Sequence, residues 1–149
     1  MASVLEKVDY ELFKKQFPEY TEKQFAKLEQ NILFLYEDSV ELCQRLVERG
    51  FTEGYKNINP TEWFRFISKM MPKIERMRGM KLGKDKLELL VGFIIFVIIR
   101  FLPIGPFEKE LLIIIISEFV PEITEALIYT SKKLHTLGAW LKKKIKCCN

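Results

Sequence analysis

The sequence predicts an all-α protein with N-terminal amphipathic helices, an apolar helical hairpin and a basic amphipathic C-terminal helix. Apolar residues recur at helical spacing through most of residues 3–71. Residues 89–99 form an eleven-residue run without a charge. No stretch alternates apolar and polar residues as a half-buried strand would. Charged residues make up 30% of the chain, which argues against both disorder and complete burial in lipid.

Two helices are predicted before residue 50. The first covers residues 3–17, where Ser3 and Glu6 have capping-box spacing. Its first residues contain no long apolar run, so no signal peptide is expected. The second helix covers residues 21–49, opens with a Thr and a Gln three residues apart, and ends at Gly50.

A loop over residues 50–59 separates these helices from a third. Asn59 is the expected N-cap of this third helix and Pro60 its first residue. Pro72 is expected to kink or break the helix. The broad apolar face of this helix is the predicted docking face for another protein, and it contains Trp63, Phe64, Phe66, Ile67 and Met70.

These elements suggest four parts. Residues 1–72 form a cytosol-facing helical module, and residues 73–86 form a basic linker. Residues 87–130 form the apolar membrane hairpin, and residues 131–149 form a basic amphipathic tail.

The hairpin is predicted to lie in a membrane. Leu89 to Phe107 is nineteen residues, about 28 Å as a helix, close to the ~30 Å of a hydrocarbon core. Arg100 lies near the end of this span, where it can extend its guanidinium to the interface. Prolines and a glycine at residues 103–106 suggest a turn, and a second apolar run follows at residues 111–116.

Charge on both sides of the hairpin indicates its orientation. Residues 1–72 carry a net charge of −2, and residues 73–149 carry +6. Cytoplasmic flanks of membrane segments are enriched in Lys and Arg, so both termini are expected to be cytosolic. The basic residues before the hairpin are Lys73, Arg76, Arg78, Lys81, Lys84 and Lys86, and those after it are Lys132, Lys133, Lys142, Lys143, Lys144 and Lys146.

Three acidic residues disfavour insertion of the second arm of the hairpin into a membrane. Glu118, Glu122 and Glu125 share one helical face, and each would cost about 2.5–3.5 kcal/mol at the centre of a bilayer. The arm is then half-inserted, or the acids face a partner chain or a water-filled path. The third alternative places the hairpin at the buried centre of a soluble helical bundle.

The tail has the pattern of a helix that lies on an anionic membrane surface. The expected surface contacts are Lys132, Lys133, Trp140, Lys142, Lys143, Lys144 and Lys146. An ordinary surface helix packed on the protein is the alternative. Cys147 and Cys148 follow the basic run, so they are candidates for S-acylation, with plain reduced thiols as the other interpretation.

No pattern typical of catalysis occurs. The chain has one His, no phosphate-binding glycine loop and no calcium loop. We therefore expect no enzymatic activity, no catalytic residues, no cofactor and no metal site. Cys43 is interpreted as a small buried residue. The Lys-rich tail lacks a recognisable nucleic-acid-binding fold, so nucleic acid is not an expected partner.

Three functions fit this pattern. The first is a membrane-anchored structural or adaptor protein, or a small subunit of a membrane-associated assembly, whose partners are anionic lipids and other protein subunits or itself. The second is a helical bundle around a buried apolar hairpin, acting through protein–protein contact or pore formation. The third is an ion-conducting oligomer with the three glutamates along its path.

The second function is similar in plan to pore-forming colicin domains and to apoptosis regulators of the Bcl-2 type. Residues 62–65 read EWFR, which lacks the Asn and the Gly of the Asn-Trp-Gly-Arg motif of Bcl-2 proteins. The resemblance is therefore one of architecture alone.

Overall fold

The protein is helical, as the sequence predicts. A computed structural model describes residues 7–77 and 83–148, with side chains for residues 9–77 and 85–127. The prediction of an all-α fold is confirmed. The described elements are α1 (Lys7–Lys15), α2 (Glu22–Glu37), α3 (Val40–Arg49), β1 (Phe51–Thr52), β2 (Asn57–Ile58), α4 (Pro60–Glu75), α5 (Gly83–Phe101) and α6 (Pro106–Cys148).

The first part of the chain contains one more helix break than the sequence suggests. The predicted capping box at Thr21 and Gln24 is present, with both hydrogen bonds formed. The predicted helix over residues 21–49 is interrupted at Asp38 and Ser39, so that prediction was wrong. A residue of another helix contacts the break between α2 and α3: Lys73 of α4 donates hydrogen bonds to both the carboxylate and the backbone carbonyl of Asp38. The capping box expected at the start of α1 lies outside the described residues.

The predicted loop over residues 50–59 contains a short antiparallel strand pair, β1–β2. Glu53, Gly54 and Tyr55 turn the chain with positive φ angles. Gly50 fits tightly before this turn, since a Cβ there would clash with the carbonyl oxygen of Leu46. The turn brings the start of α4 back against the end of α3.

Pro72 does not end α4, which continues to Glu75. The last turn is held by tertiary contacts: Ile74 is buried in the core, and Lys73 binds Asp38 at 2.8 Å. The predicted linker over residues 73–86 is therefore shorter, because its first residues belong to α4 and its last to α5.

Helix α5 lies at the centre of the molecule. It contacts α1, α2, α3, α4 and α6. One hydrophobic cluster joins residues of the N-terminal helices to residues of the hairpin, from Phe13 to Val120. The expected N-terminal module and the apolar hairpin therefore share a core and do not pack as separate units.

The hairpin is present, but its first arm ends earlier than predicted. The nineteen-residue span from Leu89 to Phe107 is not one helix, because α5 ends at Phe101 and α6 begins at Pro106. The turn between them contains Pro103 and Gly105, as the sequence suggests. Pro106 starts the new helix at the position where a missing N–H costs nothing.

Candidate membrane and partner surfaces

The uncharged run of α5 is buried on every side of the helix. Nine of the eleven residues from Leu89 to Ile99 are among the buried core side chains, each no more than 3% exposed. At Gly92 the neighbouring helix comes close, since a Cβ would lie 3.2 Å from Cδ1 of Leu28 on α2. A helix that is apolar all round needs either lipid or a complete protein sheath. In this structure the sheath is protein.

Polar contacts tie both arms of the hairpin to the surrounding chain. Near the start of α5, the Tyr20 hydroxyl donates to Glu88 at 2.8 Å, and Lys86 pairs with Glu75 at 2.7 Å. At the turn, Lys15 of α1 pairs with Glu110 of α6 at 3.0 Å. These contacts fix the hairpin relative to α1 and α4.

The polar contacts at the two ends of α5 also have electrostatic consequences. Burial, followed by the hydrogen bond to Glu88, raises the pKa of Tyr20 to about 12. At the other end, the ammonium of Lys109 donates to the carbonyl of Ile99 at 2.6 Å. That cation lies beside the C-terminal end of α5, where the helix dipole favours positive charge.

The outer face of α6 changes from apolar to acidic along the helix. Phe107, Leu111, Ile114 and Ile115 are 69%, 47%, 60% and 47% exposed. Their spacing places them along one side of the helix, which we name the α6 stripe. Farther along the same side are the exposed acids Glu118, Glu122 and Glu125.

These acids and Arg100 were predicted as polar residues inside a membrane. In this structure all four are exposed on the outside of the bundle. The guanidinium of Arg100 lies 5.9 Å from the ring centroid of Phe101. The structure brings the three acids together on one face, as expected, and that face points away from the core.

Most of the predicted docking face is not on the surface. Trp63, Phe66, Ile67 and Met70 are buried, with exposures of 0%, 3%, 0% and 0%, whereas Phe64 is 46% exposed. Their side of α4 packs into the core. Of the five residues, only Phe64 offers a large apolar surface to another protein in this structure.

The predicted surface-contact residues of the tail lie in the second half of α6. The backbone there is helical as far as Cys148. The side chains from residue 128 onward, including the basic residues, Trp140 and both terminal cysteines, lie outside the described side chains. Membrane contact and acylation therefore stay predictions.

The described cavities differ in size and in lining. One of about 200 Å³ is lined by Tyr36, Val40, Cys43 and Phe101, among others. Burial raises the pKa of Cys43 to about 12, which makes its thiolate scarce at neutral pH. Among the described residues, no group of three or more His, Cys, Asp or Glu side chains could hold a metal ion.

Sequence reasoning missed the α6 stripe and several ion pairs. Residues 111–116 were interpreted as one apolar run, but the structure buries Leu112, Ile113 and Ile116 and exposes the others. The helical spacing of Phe107, Leu111 and the three acids was the sequence signal that could have shown this exposed side of α6. The pair between Arg45 and Glu62 at 3.0 Å joins α3 to α4 and had no such signal.

Comparison with protein-family models, with curated proteins and with solved structures finds no match to this chain. Among the helices of the described residues, none combines the length and apolar character needed to cross a membrane.

Proposed function

We propose that the chain is a non-enzymatic peripheral membrane protein: a helical bundle docked on an anionic membrane surface by the basic end of α6. The observation that carries this proposal is the length of α6, whose helix continues to Cys148. It has 43 residues, against 19 in α5. At about 1.5 Å per residue, these helices are roughly 64 Å and 28 Å long.

The tail has its own apolar face. In an α-helix, the spacing of Leu134, Leu141 and Ile145 places them on one side. An apolar side of this kind on a basic helix is suited to the apolar layer of a membrane interface.

The charge of the tail favours an anionic surface. After Glu125 the chain contains six Lys and no Asp or Glu. Each Lys near such a surface contributes about 1 kcal/mol, and the attraction weakens with salt. Residues 128–149 would therefore bind vesicles that contain acidic lipids and release them at high ionic strength.

Docking of a folded bundle is favoured over a membrane-embedded hairpin. The apolar run of α5 is already covered by five helices, and the acids of α6 lie on the outside, where lipid would leave them unsolvated. An adaptor function remains part of the proposal. The tail would hold the bundle at the cytosolic face of the membrane, and the exposed Phe64 would be available to a partner protein.

Vesicle co-sedimentation tests the proposal. We expect the full chain to bind phosphatidylcholine vesicles that contain phosphatidylserine and to leave pure phosphatidylcholine vesicles in the supernatant. The triple variant Lys142→Gln, Lys143→Gln, Lys144→Gln should weaken binding by about tenfold to a hundredfold.

The matched control changes the same number of charges elsewhere. Lys23, Lys27 and Lys56 are exposed in the N-terminal half, and replacing all three with Gln should leave binding nearly unchanged. An equal loss in both variants would mean that net charge, not the tail, attracts the protein. Equal binding to the two kinds of vesicle would contradict the proposal directly.

A further inference from the structure

The α6 stripe is a second surface, on the other side of the helix from the core. Four large apolar side chains of this exposure present on the order of 400 Å² of apolar area. A patch of that size falls in the range of the largest apolar patches on monomeric proteins, which are often functional. Within the described chain, α6 packs on α4 and α5, which leaves the stripe outside.

A membrane is a poor occupant for the stripe. Glu118, Glu122 and Glu125 continue the same side of α6 and are exposed. A flat anionic surface that covered Phe107 and Leu111 would also meet these carboxylates, and like charges would repel it. The occupant must therefore leave these acids in water or supply positive charge to them.

Three of the four stripe residues match one another when the stripe is reversed about Leu111, and Ile114 then lies opposite Glu108. Leu111 lies at its middle, with Phe107 four residues before and Ile115 four residues after. An isologous contact places the same patch of both copies about a two-fold axis. With the axis at Leu111, the two leucines meet, and Phe107 of each copy meets Ile115 of the other.

We propose that the α6 stripe is a self-association surface, on which two copies of this chain pair with antiparallel α6 helices about Leu111. In that arrangement Glu118 of each copy reaches the turn end of the other, where the exposed Arg100 supplies an opposite charge. About 800 Å² is buried in total, which corresponds to a weak dimer.

Analytical ultracentrifugation of the full chain without lipid tests this proposal. A monomer–dimer equilibrium is expected at high micromolar to millimolar concentration. Leu111→Lys places two like charges on the axis and should weaken dimerisation by about tenfold or more. Phe107→Ser should also weaken it. Phe34→Ser is the matched control, because Phe34 on α2 is 63% exposed and lies outside the stripe.

Spin labels distinguish this register from others. In a Cys147→Ser, Cys148→Ser background, labels at Glu108→Cys lie three residues from the axis, so the two copies should give a short distance, below about 20 Å. Labels at Glu125→Cys lie fourteen residues from it, which is about 42 Å between copies along the helices. A short distance at residue 125 would overturn the proposed axis.

A chain that stays monomeric at millimolar concentration would overturn self-association altogether. So would a dimer that Phe34→Ser weakens as much as Phe107→Ser does. Because these experiments contain no lipid, their failure leaves the membrane-docking proposal untouched, and failure of vesicle binding leaves the dimer untouched.

Discussion

Trp63 shows how a single residue fixes the junction of three elements. Its ring is fully buried, and its indole N–H donates to the carbonyl of Gly50 at 2.8 Å. The same carbonyl accepts the backbone N–H of Asn59. The end of α3, the strand pair and the start of α4 therefore depend on one another through Trp63.

We predict that Trp63→Phe lowers the free energy of unfolding by about 1–3 kcal/mol, because it removes a buried hydrogen bond and part of a large side chain. Urea denaturation followed by far-UV circular dichroism measures this change. Phe64→Leu is the control on the neighbouring residue. It should change stability by less than about 1 kcal/mol, and an equal loss would mean that the bond to Gly50 contributes little.

The buried thiol of Cys43 should be unreactive in the native protein. Its pKa is raised to about 12 by burial, so at neutral pH neither access nor ionisation favours attack on a thiol reagent. In the Cys147→Ser, Cys148→Ser variant, we expect labelling of Cys43 to be slow in buffer and fast in denaturant. Fast labelling of the native variant would contradict the packing around α3.

Alkaline pH should destabilise the fold through the ionisation of Cys43 and Tyr20. The pKa values of Cys43 and Tyr20 are both raised to about 12, from ordinary values of 9.0 and 10.0. The folded state therefore holds these protons when the unfolded state has lost them. Their stabilisation is complete below about pH 9 and decreases as the pH rises toward 12. Urea midpoints between pH 8 and pH 11 measure the decrease, and a midpoint that rises with pH would contradict it.

At the scale of the element, the two arms of the hairpin allow one amino-acid type to be compared in two environments. Ile98 on α5 is 0% exposed, and Ile114 on α6 is 60% exposed. We expect Ile98→Ala to cost about 2–5 kcal/mol of unfolding free energy, and Ile114→Ala less than about 1. Similar costs for the two variants would mean that both residues occupy the same environment, as they would in lipid.

Local signals predicted several helix boundaries. Thr21 with Gln24 and Pro60 marked the starts of α2 and α4, and Gly50 marked the end of α3, because caps and prolines act within a few residues. Asn59 precedes α4 as predicted, but its side chain makes no capping hydrogen bond. The break at Ser39 and the continuation of α4 past Pro72 were missed. The pair between Asp38 and Lys73 lies at both places and joins residues 35 positions apart, and no local pattern contains that contact.

At the scale of the whole molecule, the sequence did not determine whether α5 is surrounded by lipid or by protein. An uncharged helix has the same composition in a bilayer and in the centre of a bundle, so periodicity cannot separate the two. What separates them is the sheath, which needs the paired faces of α1 to α4 and the inner side of α6. The acids of α6 were the sequence evidence that kept the bundle open as an alternative, because they disfavour a fully inserted second arm.

A wash of isolated membranes with alkaline carbonate tests most directly whether the hairpin is the core of a docked bundle. The protein is expressed as the Cys147→Ser, Cys148→Ser variant, so that acylation cannot hold it in place. We expect it to appear in the wash, since in the proposed docking only the tail contacts lipid and the apolar run of α5 is covered by protein. A protein that stays with the membrane pellet until detergent is added would contradict the account and place the hairpin in the bilayer.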